Sequence, residues 1–125
     1  MIHYLDTQLV VWLGEARLDR LSPLAQAALE DSELAISPMV LLELEYLYEI
    51  HRILRPPLAL AQQLWNQIGL EIKDAGFAAI IGTAISETWT RDPFDRIIVA
   101  HARAESAPLI TSDSKIRKNY SKAIW

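Results

Sequence analysis

A capped helix with one apolar face is the feature of this sequence that most constrains its fold. Asp92 is a favourable N-cap residue, and Pro93 suits the first helical position, where a missing N–H group costs nothing. The residues that follow recur at the three- and four-residue spacing of a buried face: Phe94, Ile97, Ile98 and Ala102. A helix that begins at Pro93 must therefore pack this face against another layer of the structure.

Acidic side chains mark both this helix and the strand predicted after it. Asp95 lies in the first helical turn, where the helix macrodipole stabilises a negative charge. Residues 107–113 form a short apolar segment typical of a strand, which ends in small polar residues and Asp113. Such a helix start and such a strand end can bring both carboxylates to one edge of a parallel sheet, where α/β proteins usually place their sites.

Two earlier segments repeat this arrangement. Asp6 follows a β-prone run at residues 2–5 and precedes a predicted helix at residues 8–13, so it is either a helix cap or a site acid. Glu43 lies on a helix predicted for residues 38–50, and its neighbours three and four positions away are mostly apolar: Met39, Val40, Tyr46 and Leu47. Because burying an unpaired carboxylate is costly, Glu43 either reaches water at the edge of this face or serves the site.

Strand and helix predictions alternate along the whole chain. Strands are predicted at residues 2–5, 34–36, 70–73, 107–113 and 123–125. Helices are predicted at residues 8–13, 23–30, 38–50, 58–67 and 77–85, and from residue 93 onward. This alternation predicts an α/β fold, with a single domain over residues 1–125 and a short, mostly parallel β-sheet flanked by helices.

The composition is that of a globular protein, with 51% hydrophobic and 22% charged residues. No segment resembles a signal peptide or is long and apolar enough to span a membrane, so we expect a cytoplasmic protein with no membrane partner. The net charge of −4 argues against a protein that coats nucleic acid. The segment from Thr111 to Trp125 is nevertheless locally basic, and it is either a solvated tail or a surface that faces phosphate.

Four converging carboxylates predict a bound cation. Asp6, Glu43, Asp95 and Asp113 would raise one another's pKa values unless a positive charge compensated them. Because the chain has no cysteine, oxygen or imidazole must hold a metal, and Mg²⁺ and Mn²⁺ prefer oxygen. Such an ion can lower the pKa of bound water and stabilise the charge that develops on a phosphodiester. The sequence contains no Gly-x-Ser-x-Gly motif that would indicate a serine nucleophile instead.

Four segments of the chain match a known family in order and spacing. They are Tyr4-Leu-Asp-Thr7, Ile36-Ser-Pro-Met-Val-Leu-Leu-Glu-Leu44, Arg91-Asp-Pro-Phe-Asp-Arg-Ile-Ile-Val-Ala100 and Leu109-Ile-Thr-Ser-Asp113. On these motifs the sequence resembles a PIN-domain ribonuclease, and more closely the VapC-like toxins of bacterial type II toxin–antitoxin modules. The resemblance covers essentially the whole chain, and it implies a PIN-like fold and a metal-dependent endoribonuclease.

The resemblance also implies roles for individual residues. Metal-binding and catalytic roles, with Mg²⁺ or Mn²⁺ as the cofactor, fall on four acids: Asp6, Glu43, Asp95 and Asp113. Thr7 and Ser112 match hydroxyl positions that would orient carboxylates or water. Asp92 is interpreted first as the helix cap and second as a residue that supports the site.

Partners are implied in the same way: an RNA substrate, a cognate antitoxin whose peptide enters an apolar groove near the site, and a second copy in a homodimer. Arg96 and Lys115 are candidates for contact with RNA, and Arg96 is equally suited to a salt bridge within the fold. His101 lies nearly opposite Asp95 on its helix, so it is interpreted as a surface or packing residue.

Two other functions fit parts of the sequence. A phosphatase of the haloacid-dehalogenase type would need Asp-x-Asp after its first strand, whereas this chain has Asp6-Thr-Gln8. A non-catalytic interaction module would present an apolar surface, which the helix at residues 38–50 could provide. A degenerate PIN domain would lack one or more of the four acids, and this chain retains all of them, which favours an active enzyme.

Overall fold

A five-stranded, all-parallel β-sheet with the strand order β3-β2-β1-β4-β5 forms the centre of the structure, a computed structural model that describes all 125 residues. The strands are β1 (Ile2–Leu5), β2 (Glu33–Ile36), β3 (Glu71–Ile72), β4 (Leu109–Ile110) and β5 (Ala123–Ile124). Strand β1 is central and pairs with β2 on one side and β4 on the other. The carboxyl ends of these three strands therefore lie along one edge of the sheet.

Seven α-helices connect and flank the strands. They are α1 (Thr7–Gly14), α2 (Pro23–Glu30), α3 (Pro38–Glu49), α4 (Pro57–Ile68), α5 (Phe77–Ala84), α6 (Pro93–Ala104) and α7 (Ser114–Asn119). Ser22, Ser37 and Asp92 cap α2, α3 and α6 with their side chains, and each is followed by a proline at the start of the helix. These caps satisfy amide groups that would otherwise lack a partner, which explains why the helices begin where they do.

The main hydrophobic core lies between the sheet and the helices. Its fully buried members include Leu5 on β1, Ile36 on β2, Leu109 on β4 and Ile98 on α6. A smaller cluster joins α5 to α6 through Ile80, Ala84 and Ala100. Helix α6 is thus buried on two sides, and the position of its first turn is set by this packing. No helix of the structure has the length and apolar character needed to cross a membrane.

The predicted α/β class and the mostly parallel sheet are confirmed, with differences at the ends of elements. The strand predicted for residues 107–113 is shorter, since only Leu109–Ile110 pairs as β4. The helix predicted for residues 8–13 begins one residue earlier, at Thr7, because the Asp6 side chain accepts a hydrogen bond from the Thr7 amide. A short 3-10 turn at Leu18–Arg20 was not predicted as a separate element.

His101 is buried, so the packing interpretation is right and the surface interpretation is wrong. Its imidazole is inaccessible to solvent, and its ring centroid lies 4.8 Å from that of Tyr4 on β1. Neither ring nitrogen has a hydrogen-bond partner within the protein. Burial lowers the pKa of His101, and the charges of Glu105 and Asp74 oppose that shift. The fold therefore favours the neutral imidazole.

Replacing this imidazole should make stability less dependent on pH. The unfolded chain, with a histidine pKa near 6.5, takes up the proton before the folded chain does, so folding loses stability as pH falls below that value. In His101→Phe this loss is absent, and an apolar ring removes two unpaired nitrogens. We expect the variant to gain about 1 kcal/mol at pH 8 and more at pH 5.5 in urea unfolding. Equal pH slopes in both proteins would contradict the prediction.

Candidate active site

Two of the four predicted acids follow neighbouring parallel strands. Asp6 comes directly after β1 and caps α1, and Asp113 follows β4 and caps α7. Because β1 pairs with β4 through Leu5 and Ile110, the chain leaves the sheet at the same edge on both strands. The topology therefore brings Asp6 and Asp113 together although they are far apart in sequence.

Helices contribute the other two acids. Asp95 lies in the first turn of α6, and Glu43 lies in the second turn of α3, a helix that packs against α6. The negative charges of Asp6, Glu43 and Asp113 all contribute to the pKa of Asp95. The structure thus gathers the four acids named from the sequence at the sheet edge where β1 and β4 end.

Asp92 is the N-cap of α6, as predicted. Its Oδ1 atom accepts hydrogen bonds from the amides of Phe94 at 2.8 Å and Asp95 at 3.2 Å. The Thr90 hydroxyl in turn accepts a hydrogen bond from the Asp92 amide at 3.1 Å. This cap orients the first turn of α6 and therefore the Asp95 side chain.

Threonine hydroxyls hold two of the acids in place. The Thr7 hydroxyl donates to Oε1 of Glu43, which links the start of α1 to α3. Thr7 is buried and Glu43 is partly buried, so this contact gives Glu43 the partner that its apolar surroundings require. The structure therefore places Thr7 where the resemblance implied a hydroxyl that orients a carboxylate.

Thr111 is a site residue that the sequence interpretation missed. Its fully buried hydroxyl donates to Oδ2 of Asp6 at 2.7 Å and accepts from the Asp113 amide at 3.1 Å. The role expected of Ser112 thus belongs in this structure to the preceding residue, because Ser112 forms no side-chain hydrogen bond and offers only its carbonyl to Arg117. Alternation along a strand could have signalled this, since Thr111 follows the buried β4 and adjacent side chains point to opposite faces.

Asp6 is the most deeply buried of the four acids. Burial raises its pKa, and the nearby charges of Asp113 and Asp92 act in the same direction. Hydrogen bonds from the Thr111 hydroxyl and the Thr7 amide act in the opposite direction. The pKa of Glu43 is also raised, first by burial and then by the charges of Asp6 and Asp92, while its bond from Thr7 opposes the shift.

Asp95 lacks any such donor. Burial, followed by the charges of Asp92, Asp6, Glu43 and Asp113, raises its pKa from 3.8 to about 7. None of the side-chain hydrogen bonds ends on its carboxylate; only its backbone amide is bound, by Asp92. Asp95 therefore has a raised pKa with no hydrogen bond to its carboxylate that would oppose the shift.

The chemistry of these side chains suits a hard divalent cation, because every donor is a carboxylate or hydroxyl oxygen. No group of three acidic or histidine side chains stands close enough together to hold one ion as the side chains are arranged here. Both oxygens of Asp6 are already engaged, whereas Asp95 has neither oxygen engaged and Glu43 has one free. At least one of these carboxylates would have to change its position for three of them to bind the same ion.

The two basic residues named from the sequence have different surroundings. Arg96 donates to the carbonyl oxygens of Ala84 at 3.2 Å and Ile85 at 3.1 Å, so it joins α6 to the end of α5 and forms no salt bridge. Lys115 is exposed in the first turn of α7, two residues after Asp113. None of the four acids lines any of the five main surface clefts.

Comparison with known proteins identifies the family. The model of the PIN domain family matches residues 3–122, which is nearly the whole chain and includes all four acids. The chain belongs to the PIN domain family. It is also 31% identical over 120 residues to Ribonuclease VapC22 of Mycobacterium tuberculosis, and the match covers 92% of this chain and 89% of that protein.

Solved structures share the fold of this chain. VapBC2 from Rickettsia felis, bound to a DNA fragment from its promoter, matches with a TM-score of 0.64 at 23% identity, over 94% of this chain and 92% of that one. DNA-bound VapBC from Salmonella typhimurium matches with a TM-score of 0.63 at 19% identity, over 98% and 95% of the two chains. At these identities the likeness concerns the fold alone.

Asp95→Asn should stabilise the metal-free protein at alkaline pH. Between pH 3.8 and about 7 the folded carboxyl binds a proton that the unfolded one releases, so its contribution to stability falls as pH rises through about 7. Because the side chain is partly solvated, we expect a gain of only about 1–2 kcal/mol at pH 8, shrinking toward pH 4, in urea unfolding without divalent cations. Asp31→Asn, at an exposed position outside the cluster, is the control. A variant less stable than the wild type at pH 8 would contradict the prediction.

Proposed function

We propose that this PIN-domain protein is a Mg²⁺- or Mn²⁺-dependent endoribonuclease that acts in the cytoplasm as the toxin of a toxin–antitoxin pair. The observation that carries the proposal is the convergence of Asp6, Glu43, Asp95 and Asp113 at one sheet edge, with the pKa of Asp95 raised to about 7. Repulsion of this kind is what a bound divalent cation relieves. The similarity to a protein named as a ribonuclease supports the same chemistry.

Each residue of the site has a distinct task in this mechanism. Asp6, held by Thr111 and the Thr7 amide, is the fixed oxygen ligand of the site. Glu43 is oriented by the Thr7 hydroxyl, and Asp95 has both carboxylate oxygens free to bind a cation or to accept a proton from the attacking water. A metal ion bound here would supply a more acidic water and stabilise charge on the phosphodiester.

The surroundings of the acids suit a polymer better than a small molecule. The acids lie outside the main clefts, so a chain of nucleotides can cross the sheet edge without threading into a pocket. Lys115 is the better of the two predicted RNA contacts, because it is exposed and lies two residues after Asp113. The Arg96 guanidinium already donates hydrogen bonds to two backbone carbonyls. These bonds would have to break before all of its N–H groups could bind a phosphate.

An exposed apolar surface supports an antitoxin partner. Residues 50–70 contain no acidic residue, and they expose Leu54, Leu58 and Trp65 beside the basic Arg52 and Arg55. In a chain whose net charge is −4, this segregation favours a peptide that carries apolar and acidic side chains. The similarity to structures named VapBC also supports an antitoxin partner.

Helix α5 supports the predicted homodimer. The chain carries no charge from Ala75 to Ser86. Phe77 at the start of this helix and Ile85 directly after its end are 67% and 68% exposed. A Cβ atom added at Gly82 would meet no atom within 4 Å, so space remains for another helix to approach closely. An uncharged face lets two copies of an acidic protein meet without bringing like charges together.

RNA cleavage by the purified protein tests the central proposal. We expect a mixed RNA pool to be cut with Mg²⁺ or Mn²⁺ and left intact with EDTA. Asp6→Asn and Asp95→Asn should each lower the rate by about 100-fold or more because a ligand is lost, while Asp31→Asn leaves it unchanged. Cutting that persists in EDTA, or that survives both substitutions in folded protein, would refute the metal-dependent mechanism.

Light scattering after size-exclusion chromatography tests the dimer. We expect a mass of twice 14.2 kDa for the wild type and a shift toward the monomer in Ile85→Arg, because a charge in the centre of an apolar interface must be desolvated. Leu24→Arg, at another exposed apolar position, controls for the added charge. A monomeric wild type, or a dimer unaffected by Ile85→Arg, would exclude α5 as the interface.

A further inference from the structure

A buried carboxylate outside the acid cluster lies on the loop before α6. Glu87 is 3% exposed, and the Arg103 guanidinium donates from Nε to its Oε1 atom at 2.5 Å and from a terminal nitrogen to Oε2 at 3.4 Å. The indole nitrogen of Trp89 donates to Oε2 at 2.5 Å. Both oxygens of Glu87 are therefore satisfied, and the loop is tied to α6 through Arg103.

Arg103 also reaches α7. A terminal nitrogen donates to the carbonyl oxygen of Asn119, the last residue of α7, at 3.0 Å. The centre of the guanidinium lies 4.8 Å from the centroid of the Tyr120 ring, within range of a cation–π contact. One planar side chain thus connects the loop before α6, α6 itself and the end of α7, which the fork geometry of arginine permits.

The same two helices carry acids at their opposite ends. Helix α6 has Asp95 in its first turn, and α7 begins at its cap, Asp113. The charge of Asp113 is one of those that raise the pKa of Asp95, so the two carboxylates repel each other. The hydrogen bond from Arg103 to Asn119 is the one that joins α6 to α7, and the two helices do not pack closely along their lengths.

We propose that Arg103, anchored by Glu87, is a positioning residue of the nuclease site that sets the separation of Asp95 from Asp113. This role rests on the proposed function, because it matters only if the two acids share a metal ion and a reaction. Arg103 acts from the far ends of α6 and α7 and does not touch the reacting atoms. A misplacement of about 1 Å by a remote mutation can cost about 100-fold in rate, so the effect is large enough to measure.

Arg103→Lys tests the geometry of the Arg103 side chain separately from its positive charge. Lysine keeps the positive charge beside buried Glu87, but a single ammonium cannot reproduce the planar fork that serves Glu87, Asn119 and Tyr120 together. Glu87→Gln keeps the shape of the anchor and removes its charge. Trp89→Phe is the mildest change, because it keeps a ring and deletes one donor to Glu87.

The experiment measures Mn²⁺ affinity by titration calorimetry, kcat and KM for RNA cleavage, and Tm. We expect Arg103→Lys to lower Mn²⁺ affinity and kcat by about 10- to 100-fold while KM for RNA stays nearly unchanged. Glu87→Gln should also lower Mn²⁺ affinity and kcat, and Trp89→Phe should lower them least. If Arg103→Lys does not fold, the other two variants still decide the matter.

Two control variants separate lost position from lost stability. Leu70→Ala removes a buried side chain next to β3, remote from α6 and α7, and should lower Tm while leaving Mn²⁺ affinity and kcat unchanged. Arg17→Lys weakens an exposed ion pair with Asp19 and should change neither Mn²⁺ affinity nor kcat.

The outcomes distinguish this role from the proposed function. Loss of Tm in Arg103→Lys and Glu87→Gln without loss of Mn²⁺ affinity or kcat would overturn the positioning role alone. A wild type that neither binds Mn²⁺ nor cuts RNA would overturn the proposed function and this role with it.

Discussion

Repulsion among carboxylates at the ends of neighbouring parallel strands is the constraint on which this structure depends. The topology that pairs β1 with β4 places Asp6 and Asp113 at one edge, and the packing of α3 and α6 adds Glu43 and Asp95. Such a cluster stabilises the fold only if other groups offset its charge. The hydrogen bonds around the site can be understood as that offset, distributed unequally so that Asp6 is held and Asp95 is left free.

Helix starts supply part of the compensation. Helices α1, α3, α6 and α7 all begin near this edge, and three of them are capped by an aspartate: Asp6, Asp92 and Asp113. The amide groups of a helix start carry partial positive charge, so these carboxylates are stabilised where they cap. Capping and site formation therefore draw on the same residues, and one aspartate can serve both.

Local rules predicted much of this from the sequence. Capping pairs such as Asp92-Pro93 fix helix starts within a few residues, and the alternation of elements gave the sheet class and the four acids. Long-range contacts could not be predicted in the same way. The bond between Thr111 and Asp6 depends on strand pairing, and the burial of His101 depends on β1 packing against α6. Helix periodicity placed His101 opposite Asp95, but it could not show that α6 is buried on two sides.

The span of the Thr111–Asp6 contact has a consequence for how the protein is made. These residues are 105 positions apart, and the bond forms only when β4 has paired beside β1. Contacts of such separation form late, because the intervening chain must first be ordered. A growing polypeptide that contains β1 but has not yet paired β4 has its acids dispersed. The fold therefore completes its acid cluster only when nearly all of the domain has been synthesised.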